Sequence, residues 1–201
     1  MQVRDALEQL DTIHEHLTKA EVYRGFRVPG VALVGSVGLL AAAAQPAVTG
    51  PERWFDFVTY WFIVAVGCAL LGAGAAVHAY VLHEDEFARR RTRRVFAQFA
   101  PCVVAGGAVT IAFLRAGAEL VAFLPGLWAV VFGLGMISAR PYLPRGVGFV
   151  GLGYLVAGVV SLACTVTDAA PSGWAVGGVF GLGHFATAFV LWMDRERNSD
   201  G

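Results

Sequence analysis

Long, nearly uninterrupted apolar runs alternate with short polar punctuation along this chain, and each run has the length of a bilayer crossing. Residues 29–47, 57–82, 96–114, 118–138, 146–167 and 173–193 form six such runs, close to the roughly 20 apolar residues that a transmembrane helix requires. Pro46, Pro51, Pro141, Pro144 and Pro171 mark three of the turns between them, where a fixed φ and a missing N–H interrupt a helix. The pattern predicts an all-α, polytopic integral membrane protein whose six spans form three helical hairpins. Only the stretch near 83–94 reads as a loop of any size.

The first 22 residues differ from the rest. Val3, Leu7, Leu10, His14 and Leu17 share one helical face, while Asp5, Glu8, Asp11, Glu15 and Lys19 lie mostly elsewhere, as in an amphipathic surface helix. Its mixed charge suits a protein partner better than an anionic lipid surface. The organisation expected is a cytoplasmic amphipathic helix over 1–28, a six-helix bundle over 29–194 and a tail over 195–201. This polar opening is unlike a cleavable signal peptide, so the first span is expected to serve as the insertion signal.

Composition changes the picture only by excluding classes. With 57% hydrophobic residues and a mean hydropathy of +0.62, the chain is too apolar for an ordinary soluble domain. The formal net charge of zero hides a strong asymmetry. Of 15 Lys and Arg residues, only Arg53 and Arg115 fall in one set of loops. The other set holds Arg4, Lys19, Arg24, Arg27, the run Arg89, Arg90, Arg91, Arg93 and Arg94, then Arg140, Arg145, Arg195 and Arg197. The positive-inside rule then places both termini in the cytoplasm of a bacterial-type inner (plasma) membrane. The run after His83-Glu84-Asp85-Glu86 is also suited to anionic lipid headgroups or an acidic partner, and is too short to predict nucleic-acid binding.

The second helix of each hairpin carries a related phrase: Leu70-Leu71-Gly72-Ala73-Gly74, Val131-Phe132-Gly133-Leu134-Gly135 and Val179-Phe180-Gly181-Leu182-Gly183. Val31 and Gly35, Val103 and Gly107, and Val147 and Gly151 give the first helices a shared four-residue spacing. Chance in a Gly/Ala/Val/Leu-rich chain competes with a pseudo-threefold ring of hairpins. Gly173, Gly177 and Gly181 repeat every four residues; Cys68, Gly72 and Ala76, and Cys102, Gly106 and Thr110, make similar small faces. Small faces let helix backbones approach closely where lipid supplies no hydrophobic drive.

Candidate chemistry is sparse. His184 falls mid-span and His78 lower in span two, with Gly74 one turn above it. A small residue four before a histidine, as Gly74 is to His78, lets a flat macrocycle lie on the backbone, and His184 stands at mid-depth after Gly181 and Gly183; His78 and His184 are the candidate ligands for haem or a chlorophyll-type pigment. The competing reading is a hydrogen bond from each imidazole to a neighbouring helix. Asp56, Glu119 and Asp168 sit at outer span ends, and Glu119, six residues before Pro125, pairs with His184 as a candidate pore lining. Pro101 and Pro125 predict kinks in spans three and four. Cys68, Cys102 and Cys164 fall at different heights and read as small buried hydrophobes. No Walker loop, His-Glu-x-x-His or Gly-x-Ser-x-Gly occurs, and no catalytic set converges at one depth. The preferred expectation is a non-enzymatic accessory, structural or regulatory subunit packing against a membrane-protein partner or another copy of itself. The alternative is a small-solute transporter or channel, and a pigment- or haem-carrying subunit is a third reading.

Overall fold

A computed structural model describes residues 28–49, 54–82, 86–165 and 171–197; side chains at 73, 75–82 and 86–91 are not described. The amphipathic segment 2–22, His14, Asp168 and the residues after Arg197 lie outside this set. Every regular element among the described residues is helical: α1 (Val28–Val48), α2 (Trp54–Leu82), α3 (Glu86–Ala116), the short α4 (Ala118–Val121), α5 (Leu124–Ser138), a 3-10 turn (Arg140–Tyr142), α6 (Arg145–Ala163) and α7 (Gly173–Arg197). Five of these, α1, α2, α3, α6 and α7, are long and apolar enough to cross a membrane.

Three sequence expectations change. The span expected over 118–138 is not one helix. Gly117 takes φ 140°, α4 lasts one turn, and α5 begins only at Leu124. That φ is open to glycine and strained for other residues. The interruption within 118–138 falls at Ala122–Phe123, directly before Pro125, as a break between two helices rather than a kink in one. Pro125 sits in the first turn of α5, where its absent N–H removes no helical bond. The Arg-rich stretch expected as a loop is instead the opening of α3, which runs unbroken from Glu86 through Pro101. Residues 86–94 contain neither Gly nor Pro, and Arg, Glu and Ala are good helix formers. Finally, α7 carries on into the expected tail, through Arg197.

Glycine sets the two tightest contacts, α1 with α7 and α5 with α6. A methyl group added at Gly133 would lie 2.7 Å from the Gly151 carbonyl oxygen, and one at Gly151 would lie 3.1 Å from that of Gly133. Gly35 and Gly181 repeat this reciprocal contact at 3.0 and 3.1 Å. These are the positions that the repeated phrases align. The third aligned pair, Gly72 and Gly107, does not meet: a methyl at either would touch nothing within 4 Å.

Helix register supplies the reason. Gly133 and Gly151 lie five and six residues from the ends of α5 and α6 that the 3-10 turn joins, each about 8–9 Å along its axis. Gly72 is ten residues from the end of α2 and Gly107 twenty-one from the start of α3, a height difference of roughly 16 Å. Among the described residues the third contact of such a ring is not made, and α2 and α3 barely touch.

Two apolar clusters fill the bundle. One gathers Val95, Met136, Ala139, Leu143, Val147, Tyr154 and Leu191 toward the arginine-bearing end. The other gathers Ala41, Ala42, Phe57, Trp61, Val121, Leu124 and Val176 toward the opposite end. Polar side chains tie helices together across them. Tyr60 donates to the Ala41 carbonyl at 2.7 Å, and Trp128 donates to Thr110 at 2.8 Å. Cys102 and Gly106 share that α3 face, against Gly135 and Val131 of α5. α3 is peripheral: 6% of its most apolar stretch is buried, against 28% for α1 and α7.

Candidate functional site

The mid-bundle histidine stands in an aromatic cluster contributed by three helices. His184 follows Phe180 by one helical turn, so its ring returns to the Phe180 carbonyl, with Nδ1 to oxygen at 2.7 Å. Tyr154 of α6 reaches the same point. Its hydroxyl lies 3.1 Å from the Phe180 oxygen and 3.1 Å from His184 Nδ1. The phenol reaches so far because residue 183 is glycine; a methyl there would fall on the Tyr154 ring. Phe132 of α5 closes the other side, its centroid 4.9 Å from Tyr154, 5.2 Å from Phe180 and 5.7 Å from His184. Such edge and tilted packings favour aromatic quadrupoles as well as burying area.

The proton arrangement follows from the acceptor. The Phe180 carbonyl can only accept, so Nδ1 carries the proton and donates to it, and the Tyr154 hydroxyl donates to it as well. Both contacts of the imidazole use Nδ1. In the neutral ring Nε2 then carries the lone pair, the tautomer in which histidine ligates metals or accepts a hydrogen bond. The surroundings do not form a macrocycle cradle at this residue. The position one turn before His184 is Phe180, not a small residue, and Phe132 and Tyr154 already pack on the ring. At His78 the backbone lies in α2 and the side chain is not described, while the space over Gly74 is open.

The other candidates scatter. Glu119 is exposed on α4 and Arg115 is exposed in the last turn of α3. His184 lies eleven residues down α7 from Gly173, about 16 Å below that end, so the structure does not bring Glu119 and His184 together. Asp56 sits in the first turn of α2, where a carboxylate complements the helix dipole. Among the described residues no three His, Cys, Asp or Glu side chains gather around a common point. Cys68 and Cys102 are half-buried and Cys164 is exposed, a departure from three buried thiols. Arg93 and Arg94 are exposed on α3, and the side chains of Arg89, Arg90 and Arg91 are not described.

The glycines divide by what they face. Gly173 meets Gln45 of α1, Gly177 meets Gly38, Ala42 and Trp61, and Gly181 meets Gly35 and Leu39. Gly126, Gly133 and Gly158 lie in the α5/α6 contact, and Gly135 receives the Phe99 ring. Gly106 has only Val131 near it, at 3.8 Å. Among the described residues a methyl at Gly30, Gly67, Gly72, Gly74, Gly107 or Gly153 would meet nothing within 4 Å.

Sequence reasoning missed Tyr154 and the indole of Trp61. A tyrosine in the middle of an apolar run was itself a signal, since a buried phenol must find an acceptor. Trp61 is 4% exposed and its Nε1 has no acceptor among the described residues; nothing in its sequence context marked it. No family model matches the chain, and no curated protein or solved structure is detectably similar to it.

Proposed function

We propose that this chain is a non-enzymatic integral membrane subunit that works by lateral helix packing against a larger membrane assembly. One observation carries the reading. Its internal helix contacts are closed by interlocked glycines and aromatic rings, while α2 and α3 are the least buried of the long helices and keep apolar flanks whose glycines, Gly67 and Gly107, are unopposed among the described residues, as Gly30 and Gly153 are on α1 and α6. Phe62, Ile63 and Leu70 of α2 and Val103, Val104 and Ile111 of α3 are more than half exposed. In a bilayer an uncovered glycine face offers a neighbouring helix close backbone approach. A conduction pathway finds less support, because Glu119 and His184 stand far apart and the His184 level is filled by Phe132, Tyr154 and Phe180. Gently extracted from its native membrane, the protein should carry at least one further polypeptide in fixed stoichiometry by native mass spectrometry. A bare chain under every mild condition would contradict the reading.

In this proposal α4 and α5 together make a sixth crossing, and the arginine-bearing end faces the cytoplasm. The residues from Ala118 to Ser138 span about 31 Å at helical rise, near the thickness of the hydrocarbon core. Cys164, exposed where α6 ends away from the arginines, would then face outward. A membrane-impermeant maleimide added to intact cells should label Cys164 and leave Cys68 and Cys102 unmodified. Labelling of Cys164 only after the cells are opened would reverse the topology.

A further inference from the structure

The tightest helix pair, α1 with α7, ends unevenly on the arginine-bearing side. Gly177 and Gly181 of α7 lie against α1, and a methyl at Gly35 of α1 would stand 3.2 Å from the His184 Cβ and 3.3 Å from the Phe185 ring. The helices run antiparallel, with Gln45 meeting Gly173 at their other end. Followed residue by residue, this pairing sets Val28, where α1 begins, level with Val190 of α7. α7 continues to Arg197, roughly 10 Å farther at helical rise.

The face of α7 that meets α1 continues with it. Gly177, Gly181, Phe185, Ala188, Trp192 and Arg195 recur at the three- and four-residue spacing of a single helical face. Ala188, under α1, is 5% exposed, whereas Trp192 is 46% and Met193 44% exposed, and Arg195 and Arg197 are exposed. The contact stripe therefore outruns the helix that covers it, and the chain that could cover the rest is the one that enters α1 at Val28.

That stretch, outside the described residues, has complementary chemistry. Residues 2–22 carry Asp5, Glu8, Asp11, Glu15 and Glu21 against Arg4 and Lys19, an acidic excess unlike the cationic face of a lipid-binding helix. Arg24 and Arg27 fall in the link 23–27, whose five residues reach about 17 Å when extended, enough to bring residue 22 beside Arg195. Anionic headgroups repel such a segment, and exposed arginines attract it. A short link also raises its local concentration to about millimolar. We propose that residues 2–22 dock on the overhanging end of α7, with the face of Val3, Leu7, Leu10 and Leu17 on Trp192 and Met193 and the carboxylates toward Arg195 and Arg197. The occupant is this chain's own segment because its tether begins where α1 stops covering the stripe.

Amide hydrogen exchange of the purified full-length protein in a zwitterionic detergent tests the docking. Residues 2–22 should exchange slowly in the wild type. Arg195→Glu with Arg197→Glu should speed their exchange by about tenfold, two exposed ion pairs at the stronger end of their range being replaced by repulsion. Trp192→Ala should also speed it although every charge remains, and Arg115→Glu, at the opposite end of the bundle, should leave it near the wild-type value. Thermal unfolding of each variant checks that the bundle is intact; all four positions are exposed, and none of the substitutions adds bulk to a packed contact. A photo-crosslinking residue at Met193 should capture a peptide from 2–22 of the same molecule. Fast exchange of 2–22 in the wild type would overturn the proposal. Slow exchange indifferent to the Arg195 and Arg197 reversal would place the segment on the detergent or lipid surface instead and overturn it. Slow exchange only while another polypeptide is bound would assign the segment to that partner and overturn it equally.

Discussion

Gly177→Leu is expected to cost the folded bundle at least about 3 kcal/mol, the upper part of the range for forced overpacking. A first methyl at this position already meets the Gly38 carbonyl oxygen, and lies 2.7 Å from both the Ala42 methyl and the edge of Trp61. The first of these is backbone and the other two belong to a buried cluster, so none can swing aside as a surface side chain does. Relief would require α7 to move off α1, breaking the Gly35–Gly181 contact one turn farther along. The variant should therefore fail to accumulate as folded protein, or unfold at a much lower temperature in mild detergent. Gly107→Leu provides the internal comparison. With nothing within 4 Å of a methyl there, its unfolding temperature should match the wild type, as is usual for substitutions away from packed features. Similar stability for the two variants would mean that α1 and α7 are not packed as described.

His184→Ala should cost about 2–3 kcal/mol, from a cavity among Phe132, Tyr154 and Phe180 and the loss of one buried hydrogen bond. The Phe180 carbonyl would keep the Tyr154 hydroxyl as donor, which keeps the loss below that for an orphaned buried group. His184→Asn restores a donor near the position of Nδ1 and should recover part of the loss. The two histidine readings diverge here. A hydrogen-bonding histidine is partly replaced by asparagine, whereas a haem- or pigment-ligating one is not. If the native protein is coloured and both substitutions abolish that colour while leaving unfolding unchanged, the structural reading of His184 is wrong. A colour that depends on His78→Ala instead would move the ligand to α2, where the space over Gly74 is open.

The all-helical class and the long apolar helices were legible because their cause is local: apolar runs of bilayer length with short polar breaks. The ends of those helices were less so, since apolar length marks where lipid is and not where hydrogen bonding stops. That is why the arginines at 86–94 read as a loop although they open α3. Gly117 and Pro125 were visible, but the sequence did not tell a kink in one helix from a break between two, which falls at Ala122–Phe123 just before Pro125. The glycine phrases were equally visible, and they did not reveal which of them meet. Gly133 with Gly151 and Gly35 with Gly181 occupy matched heights, whereas the lengths of α2 and α3 carry Gly72 and Gly107 apart. At the candidate site the sequence offered His184 and missed Tyr154, because their pairing depends on α6 passing Gly183, a tertiary fact without a local signal.

The division of glycines into inward and outward sets is the centre of this account, and it yields one decisive comparison. The amount of partner polypeptide that co-purifies with the Gly67→Leu, Gly107→Leu double variant would be measured against wild type, each extracted from its native membrane and checked for unchanged thermal stability. The account predicts that wild type retains a stoichiometric partner and that the variant, equally well folded, loses it. An unaltered complement of partner in the variant, or none with wild type, would contradict it.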